Sequence, residues 1–280
     1  MSIQNFISTV WSESLYEELN KRYVAVANCN RDFEGDIKSQ GAVVKICGVG
    51  PISVGDYQKN TNMSAPQTLN DNVRELVIDQ AKYFNFQIDD IDRAQSNPKL
   101  MDAAMRNAAA ALADEADRYI YGLHVNHPYV ESHYDVTEEN ILNFIIRARQ
   151  KLYEHNVYDD SEVVLEVSPM VASLIYRAKL ELSTANNETM ETGCIGSIAG
   201  CKIFVTNSVE SEEAGGDIYL NRCFMRTKRA IAFAEQLSEI DAYRPENRFA
   251  DAMKGLHLYG AKVVYPKELI VLELNVPYTP

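Results

Sequence analysis

Chemistry in this chain of 280 residues could come from only a few places. The densest is His124, His127 and His133, with Glu131 and Asp135 close by. A His-x-x-His pair can supply two metal ligands, and imidazole and carboxylate are ordinary zinc donors. The segment follows the end of a helical pattern and carries Pro128, so it reads as a polar loop with surface histidines. Asp89, Asp90 and Asp92 could act as paired acids or hold a cation. Alternating strand geometry separates the side chains of Asp89 and Asp90, and the cluster reads as hydrogen bonding of a strand-to-helix turn.

The remaining candidates are weaker. Gly48-Val49-Gly50-Pro51-Ile52-Ser53-Val54-Gly55 is glycine-rich but lacks the Gly-Lys-Ser/Thr ending that cradles phosphate. No Gly-x-Ser-x-Gly elbow is present. Cys29, Cys47, Cys194, Cys201 and Cys223 are scattered, with no CxxC pair, and read as reduced thiols. We therefore expect no catalytic, cofactor-binding or metal residues, and no enzyme activity.

The elements around these residues are more informative. With 46% hydrophobic residues the chain can bury a core in one large domain or two modest ones. No apolar run reaches the ~20 residues of a membrane helix, and the start lacks a signal-peptide pattern, so a cytosolic protein with no membrane partner is expected. The net charge of −13 and the lack of a Lys/Arg cluster exclude a sequence-specific DNA binder. Such a protein could still enclose DNA, holding it by walls and not by phosphate contacts.

Residues 6–23 show helical spacing at Phe6, Val10, Trp11, Leu15 and Leu19. Residues 33–72 are punctuated by Gly and Asn, have few apolar residues besides Val43 to Val49, and read as a long projecting hairpin. Phe84, Phe86 and Ile88 alternate with Tyr83, Asn85, Gln87 and Asp89, a half-buried strand. Asn97-Pro98 opens an alanine-rich helix with Met101, Met105, Ala108, Leu112, Ala116, Tyr119 and Leu123 on its packed face. Twenty-odd residues at ~1.5 Å each make it a spine of roughly 40 Å.

Thr137 is placed as the cap of a second helix, with Glu138 and Glu139 in its first turn. Then 163–167 reads as a strand, 170–182 as a helix, and 202–206, 218–220 and 230–234 as short strands, a second α+β unit. Strands at 256–264 and 269–274, joined by Tyr265-Pro266-Lys267, are expected to pair with the strand before the spine.

Several stretches resemble major capsid proteins of tailed double-stranded DNA bacteriophages with the HK97 fold, in the branch of the phage P22 coat protein. They are Asn30-Arg31-Asp32-Phe33-Glu34-Gly35-Asp36-Ile37, then Ile78-Asp79-Gln80-Ala81-Lys82-Tyr83-Phe84 leading to Asp89-Asp90-Ile91-Asp92. Asn97-Pro98-Lys99-Leu100-Met101-Asp102-Ala103-Ala104 and Ala113-Asp114-Glu115-Ala116-Asp117 follow. Gly193-Cys194-Ile195-Gly196-Ser197-Ile198-Ala199-Gly200 and Gly255-Leu256-His257-Leu258-Tyr259-Gly260-Ala261-Lys262-Val263-Val264 complete the set, in the family's order.

The resemblance implies an α+β fold with an N-terminal arm (1–32), an extended loop over a neighbour (33–75) and a peripheral domain (76–135 with 245–280). That domain would hold the spine helix (97–123), and 136–244 would form an axial domain. It implies a virion shell protein that self-assembles as hexamers and pentamers in the host cytoplasm. Packaged double-stranded DNA without sequence specificity, a portal protein and decoration proteins are its further implied partners. The family-like arm begins within the first ten residues, so a separate scaffolding protein is expected in place of a fused one. The inserted domain of the P22 coat protein has no counterpart in the chain. No motif assigns Lys38, Lys45, Lys59 or Asn275 to the lysine–asparagine crosslink known in the family. The rival readings are an encapsulin-like compartment shell and, from another class, a cytosolic α+β enzyme.

Overall fold

The computed structural model describes residues 15–33, 41–49, 54, 56, 59, 71–89, 100–125, 127–158, 163–178, 194–247 and 249–277. The opening helical pattern is present as α1, residues 15–22. Leu15, Leu19 and Tyr23, one turn apart, are its buried stripe. Phe6, Val10 and Trp11, and the proposed start of the spine at Asn97-Pro98, lie outside the described residues.

The ribbon is formed by β1 (Val43–Val49) and β2 (Asp71–Val77), antiparallel with Val43 opposite Val77 and Val49 opposite Asp71. The chain continues through β3 (Gln80–Asp89) into α2 (Leu100–Tyr121), the spine, whose 22 residues span about 33 Å at ~1.5 Å each. The buried face of α2 is Met105, Ala109, Leu112, Ala113, Ala116, Asp117, Ile120 and Tyr121. Of the residues expected on that face, Ala108 and Tyr119 are only half-buried, because the face is rotated by about one residue.

After β4 (Val130–His133), α3 runs over Ile141–Glu154. It begins later than expected: the carbonyl of Thr137 accepts from the N–H groups of Asn140 and Ile141, so 138–140 is a turn and Asn140 the cap residue. β5 (Val163–Val167) and α4 (Pro169–Arg177) follow, with the Ser168 side chain capping α4 by accepting from the Val171 N–H. The remaining strands are β6 (Cys194–Ile198), β7 (Cys201–Val205), β8 (Ser211–Gly215), β9 (Ile218–Thr227), β10 (Ile231–Tyr243), β11 (Ala250–Val263) and β12 (Leu269–Pro277).

Two sheets divide these strands. A three-stranded antiparallel sheet has the order β10-β11-β3. A seven-stranded mixed sheet has the order β4-β12-β9-β5-β7-β6, with β8 added beside the N-terminal half of β9. The expected pairing of 256–264 with the strand before the spine is present as β11 on β3. The expected pairing of 269–274 is not: β12 pairs antiparallel with β9 and parallel with β4, and so joins the larger sheet. All but two of its residues are buried, as befits a strand with neighbours on both edges and a helix above.

One continuous core connects α1, α2, α3, α4, the seven-stranded sheet and one face of the three-stranded sheet. Phe233, Met253, Tyr259 and Ala261 are on that face, and Tyr119 meets Tyr259 edge to face at 5.5 Å. The opposite face carries Ala232, Ala234 and Leu258, which pack against Val44, Ile46, Leu76 and Ile78 from the ribbon. Spine, small sheet and ribbon root thus form three layers. No described helix is long and apolar enough to cross a membrane.

Candidate functional site

The ribbon was expected to lack a core of its own and to project. Its root does not: Val44 and Ile46 are buried against the chain's own sheet. The root is held there by a close backbone approach. A Cβ on Gly260 of β11 would lie 2.2 Å from the Val77 carbonyl oxygen, so only glycine lets β2 cross at this point. The other ribbon face remains open, with Val43, Val73 and Val77 each between two-fifths and one-half exposed. The ribbon thus carries apolar residues on both faces, and among the described residues only one face is covered.

The arm is fastened by buried charge. Asp117, on the inner face of the spine, accepts from the backbone N–H groups of Val24 and Val26 at 2.9 and 3.0 Å. Burial pushes its carboxyl up to about 7, against the pull of those N–H groups. Arg226 of β9 forks onto Glu166 of β5, Nε to Oε2 at 3.0 Å and Nη2 to Oε1 at 2.8 Å, both side chains fully buried. The same guanidinium donates to the carbonyls of Ala25 and Asn28, and the Asn28 amide donates to Glu166 at 3.2 Å. Burial raises the Glu166 carboxyl, while Arg226 and Asn28 draw it back down.

A second buried acid continues this fastening. Glu235 of β10 accepts from the Tyr23 hydroxyl and the Arg31 guanidinium and meets His257 Nε2 at 2.8 Å. Residues 23–31 therefore tie spine, large sheet and small sheet together, and Asn30 adds a parallel bridge to Ala232. Sequence reading named Asp117 only inside a quoted motif and picked out none of Glu166, Arg226 and Glu235, which sit in strands with no motif. The available signal was a charged residue inside each apolar strand pattern.

The sequence-predicted histidines are not surface groups. His127 is buried and its Nε2 meets the Leu269 carbonyl at 2.8 Å. His133 stacks on Phe144 at 4.0 Å and faces Glu131, and burial lowers its proton affinity. His124 sits 3.2 Å from Glu210. Each lies with a different partner, and among the described residues no group of three or more His, Cys, Asp or Glu is arranged to hold a metal ion. Asp89 ends β3 opposite Ala250, while Asp90 and Asp92 lie outside the described residues. Cys29, Cys201 and Cys223 are buried free thiols, all raised by burial. Lys45 is exposed on β1 opposite Glu75, and Asn275 is buried, donating to the His133 carbonyl. A groove of about 310 Å³ between α4 and the end of β12, lined by Met170, Leu174, Arg177, Val276 and Pro277, carries a single charged group. Among the described residues no convergent polar site is assembled.

No family model matches the chain, and no curated protein does. Solved structures do. A chain of Mycobacterium phage Che8 is 26% identical over 89% of this chain and 90% of its own, with a TM-score of 0.70. The capsid of Ralstonia phage GP4 is 12% identical over 94% and 91%, with a TM-score of 0.72. The SrpI encapsulin of Synechococcus elongatus is 11% identical over 87% of each chain, with a TM-score of 0.60. The fold is the α+β, HK97-type fold of capsid shells, a non-enzymatic structural fold.

Proposed function

We propose that this chain is the major capsid protein of a tailed phage, assembling in the host cytoplasm into the icosahedral shell of the virion. The observation that carries this reading is the near-complete two-way coverage of a phage chain at 26% identity. The exposed ribbon face supports it, because a shell subunit must present apolar surface to its neighbours. In this reading residues 1–32 are the arm and 33–75 the loop that reaches a neighbour. Residues 76–135 with 245–280 are proposed as peripheral and 136–244 as axial, with β10 crossing into the peripheral sheet and β4 and β12 into the axial one. The quoted motifs, in their order, favour the branch of the P22 coat protein.

Identical subunits in hexamers and pentamers reuse the same contacts at slightly different curvatures, so the energy differences between closures are small. A separate scaffolding protein supplies the bias, a portal occupies one vertex, and decoration proteins bind the outer face. The double-stranded DNA is enclosed by acidic walls without sequence-specific contacts. Expression of the full chain, alone and with neighbouring gene products, followed by electron microscopy, tests this. Closed shells or capsomers are expected; a strictly monomeric species at high concentration with scaffold present overturns it. The encapsulin match supports a second reading, a cargo compartment, and a ferritin-like or peroxidase gene beside this one, with no portal or terminase gene, would favour it.

A further inference from the structure

A ring of identical subunits uses heterologous contacts, in which one surface of each copy meets a different surface of the next. Two surfaces of the large-sheet unit suit such a pair. The first is the outward side of α3. Its inner side, Ile141, Ile145, Ala148, Arg149 and Leu152, is buried. Its outer side exposes Ile146, 51% accessible, flanked by Arg147 and Gln150. Lys151, on the same helix, is already neutralised by Glu131, so Arg147 is the cation this face presents.

The second is β8. All five of its residues are exposed, and among the described residues it pairs only with β9, leaving its outer edge without a strand partner. An open edge must be blunted or covered. Here it carries Glu212 and Glu213, with Asp217 exposed in the following turn. Glu212 is tied to Arg222 at 3.0 Å, whereas Glu213 has no ion-pair partner among the described residues. The carboxylates keep the edge from pairing indiscriminately and leave it suited to a cationic surface. The sizes agree as well: five residues at ~3.3 Å make β8 about 16 Å long, and Asn143 to Glu154 along α3 is also about 16 Å. α3 packs on β12, while β8 borders β9 on the edge away from β12, so the two surfaces are distinct in one copy, as a heterologous contact requires.

We propose that the outer face of α3, centred on Ile146 and Arg147, docks against the acidic β8 edge of a second copy of this chain, with Arg147 paired to Glu213. This contact rests on the shell-protein reading and specifies how one copy selects the next. The test is a charge swap in the full chain, with assembly measured by sedimentation and electron microscopy, and folding by thermal melting. Arg147→Glu and Glu213→Arg should each reduce capsomer or shell yield tenfold or more, with unchanged melting of the unassembled chain. The double variant should recover at least half of the wild-type yield. Single variants that assemble normally, or a double variant that fails to recover while melting normally, overturn the contact and leave the shell reading standing. A wild-type chain that never assembles, with scaffold present, overturns both.

Discussion

The spine and the ribbon are built from similar apolar residues and meet opposite fates. The inner face of α2 is covered by the arm and both sheets, and its one buried charge, Asp117, accepts from backbone N–H groups. The ribbon is closed on one side only: Val44, Ile46, Leu76 and Ile78 dock on the small sheet, while Val43, Val73 and Val77 remain open. A closed region contributes stability to the single chain. A half-closed one holds apolar area in reserve for assembly. The difference between them is therefore measurable as an effect on melting against an effect on assembly.

The largest expected effect lies in the closed region. Arg226→Met should leave Glu166 buried without its charge partner and free the carbonyls of Ala25 and Asn28. Breaking a fully buried pair from one side costs about 3–5 kcal/mol. Denaturant titration should show that loss, together with rapid proteolysis in 23–31. A double variant, Arg226→Met with Glu166→Leu, should recover much of it, since the orphaned charge is then gone. If the single variant melts like the wild type, the arm is not fastened by this pair.

Gly260→Ala sits where the two regions meet. The added methyl would overlap the Val77 carbonyl, an atom of the backbone that cannot rotate away. The ribbon root must shift off β11, at a cost of about 1–3 kcal/mol. Because Val44, Ile46, Leu76 and Ile78 form a cluster separate from the main core, hydrogen exchange should speed up there and not in α2. Uniform loss of protection across both would show that ribbon and spine unfold as one unit.

Much of this was legible in the residues. The alternation in β3 is observed, with Phe84, Phe86 and Ile88 half-buried and Tyr83, Asn85 and Gln87 exposed. The strand at 163–167 matches residue for residue, because Val163-Val164-Leu165 and Val167 are buried on both faces. What was missed follows from physics that spacing does not encode. β8, Ser-Glu-Glu-Ala-Gly, has no strand propensity and exists because β9 offers it a partner. Ala108 was placed in the packed face by steps of three and four along the helix, but with alanine on several sides of α2 that spacing cannot fix the rotation that buries Ala109 instead. β12 was assigned to the small sheet because it follows β11 in sequence, yet Pro266 to Glu268 turns it onto β9. The histidines looked polar and peripheral, yet His127 is buried on the Leu269 carbonyl and His133 is half-buried against Phe144 and Glu131, contacts that no sequence pattern announces.

The smallest effect on the single chain should fall on the open ribbon face, and it separates the two regions most sharply. Val73 is the suitable position. It is 45% exposed, stands opposite Cys47 in the register, and lies outside the Val43–Val77 cross-strand pair. Val73→Ser removes apolar area that the lone chain leaves in water, so its melting should change by no more than about 0.5 kcal/mol. In a shell the same face would be buried many times over, once per subunit, and even a small loss per contact is multiplied by closed symmetry. Shell yield should therefore fall severalfold while melting stays constant, and Val73→Ile should restore it. A drop of more than about 1 kcal/mol in the unassembled chain would mean that the open face already packs within the subunit. Normal shells from Val73→Ser would mean that neighbours grip the ribbon elsewhere, and the contrast between a closed spine and a reserved ribbon would not hold.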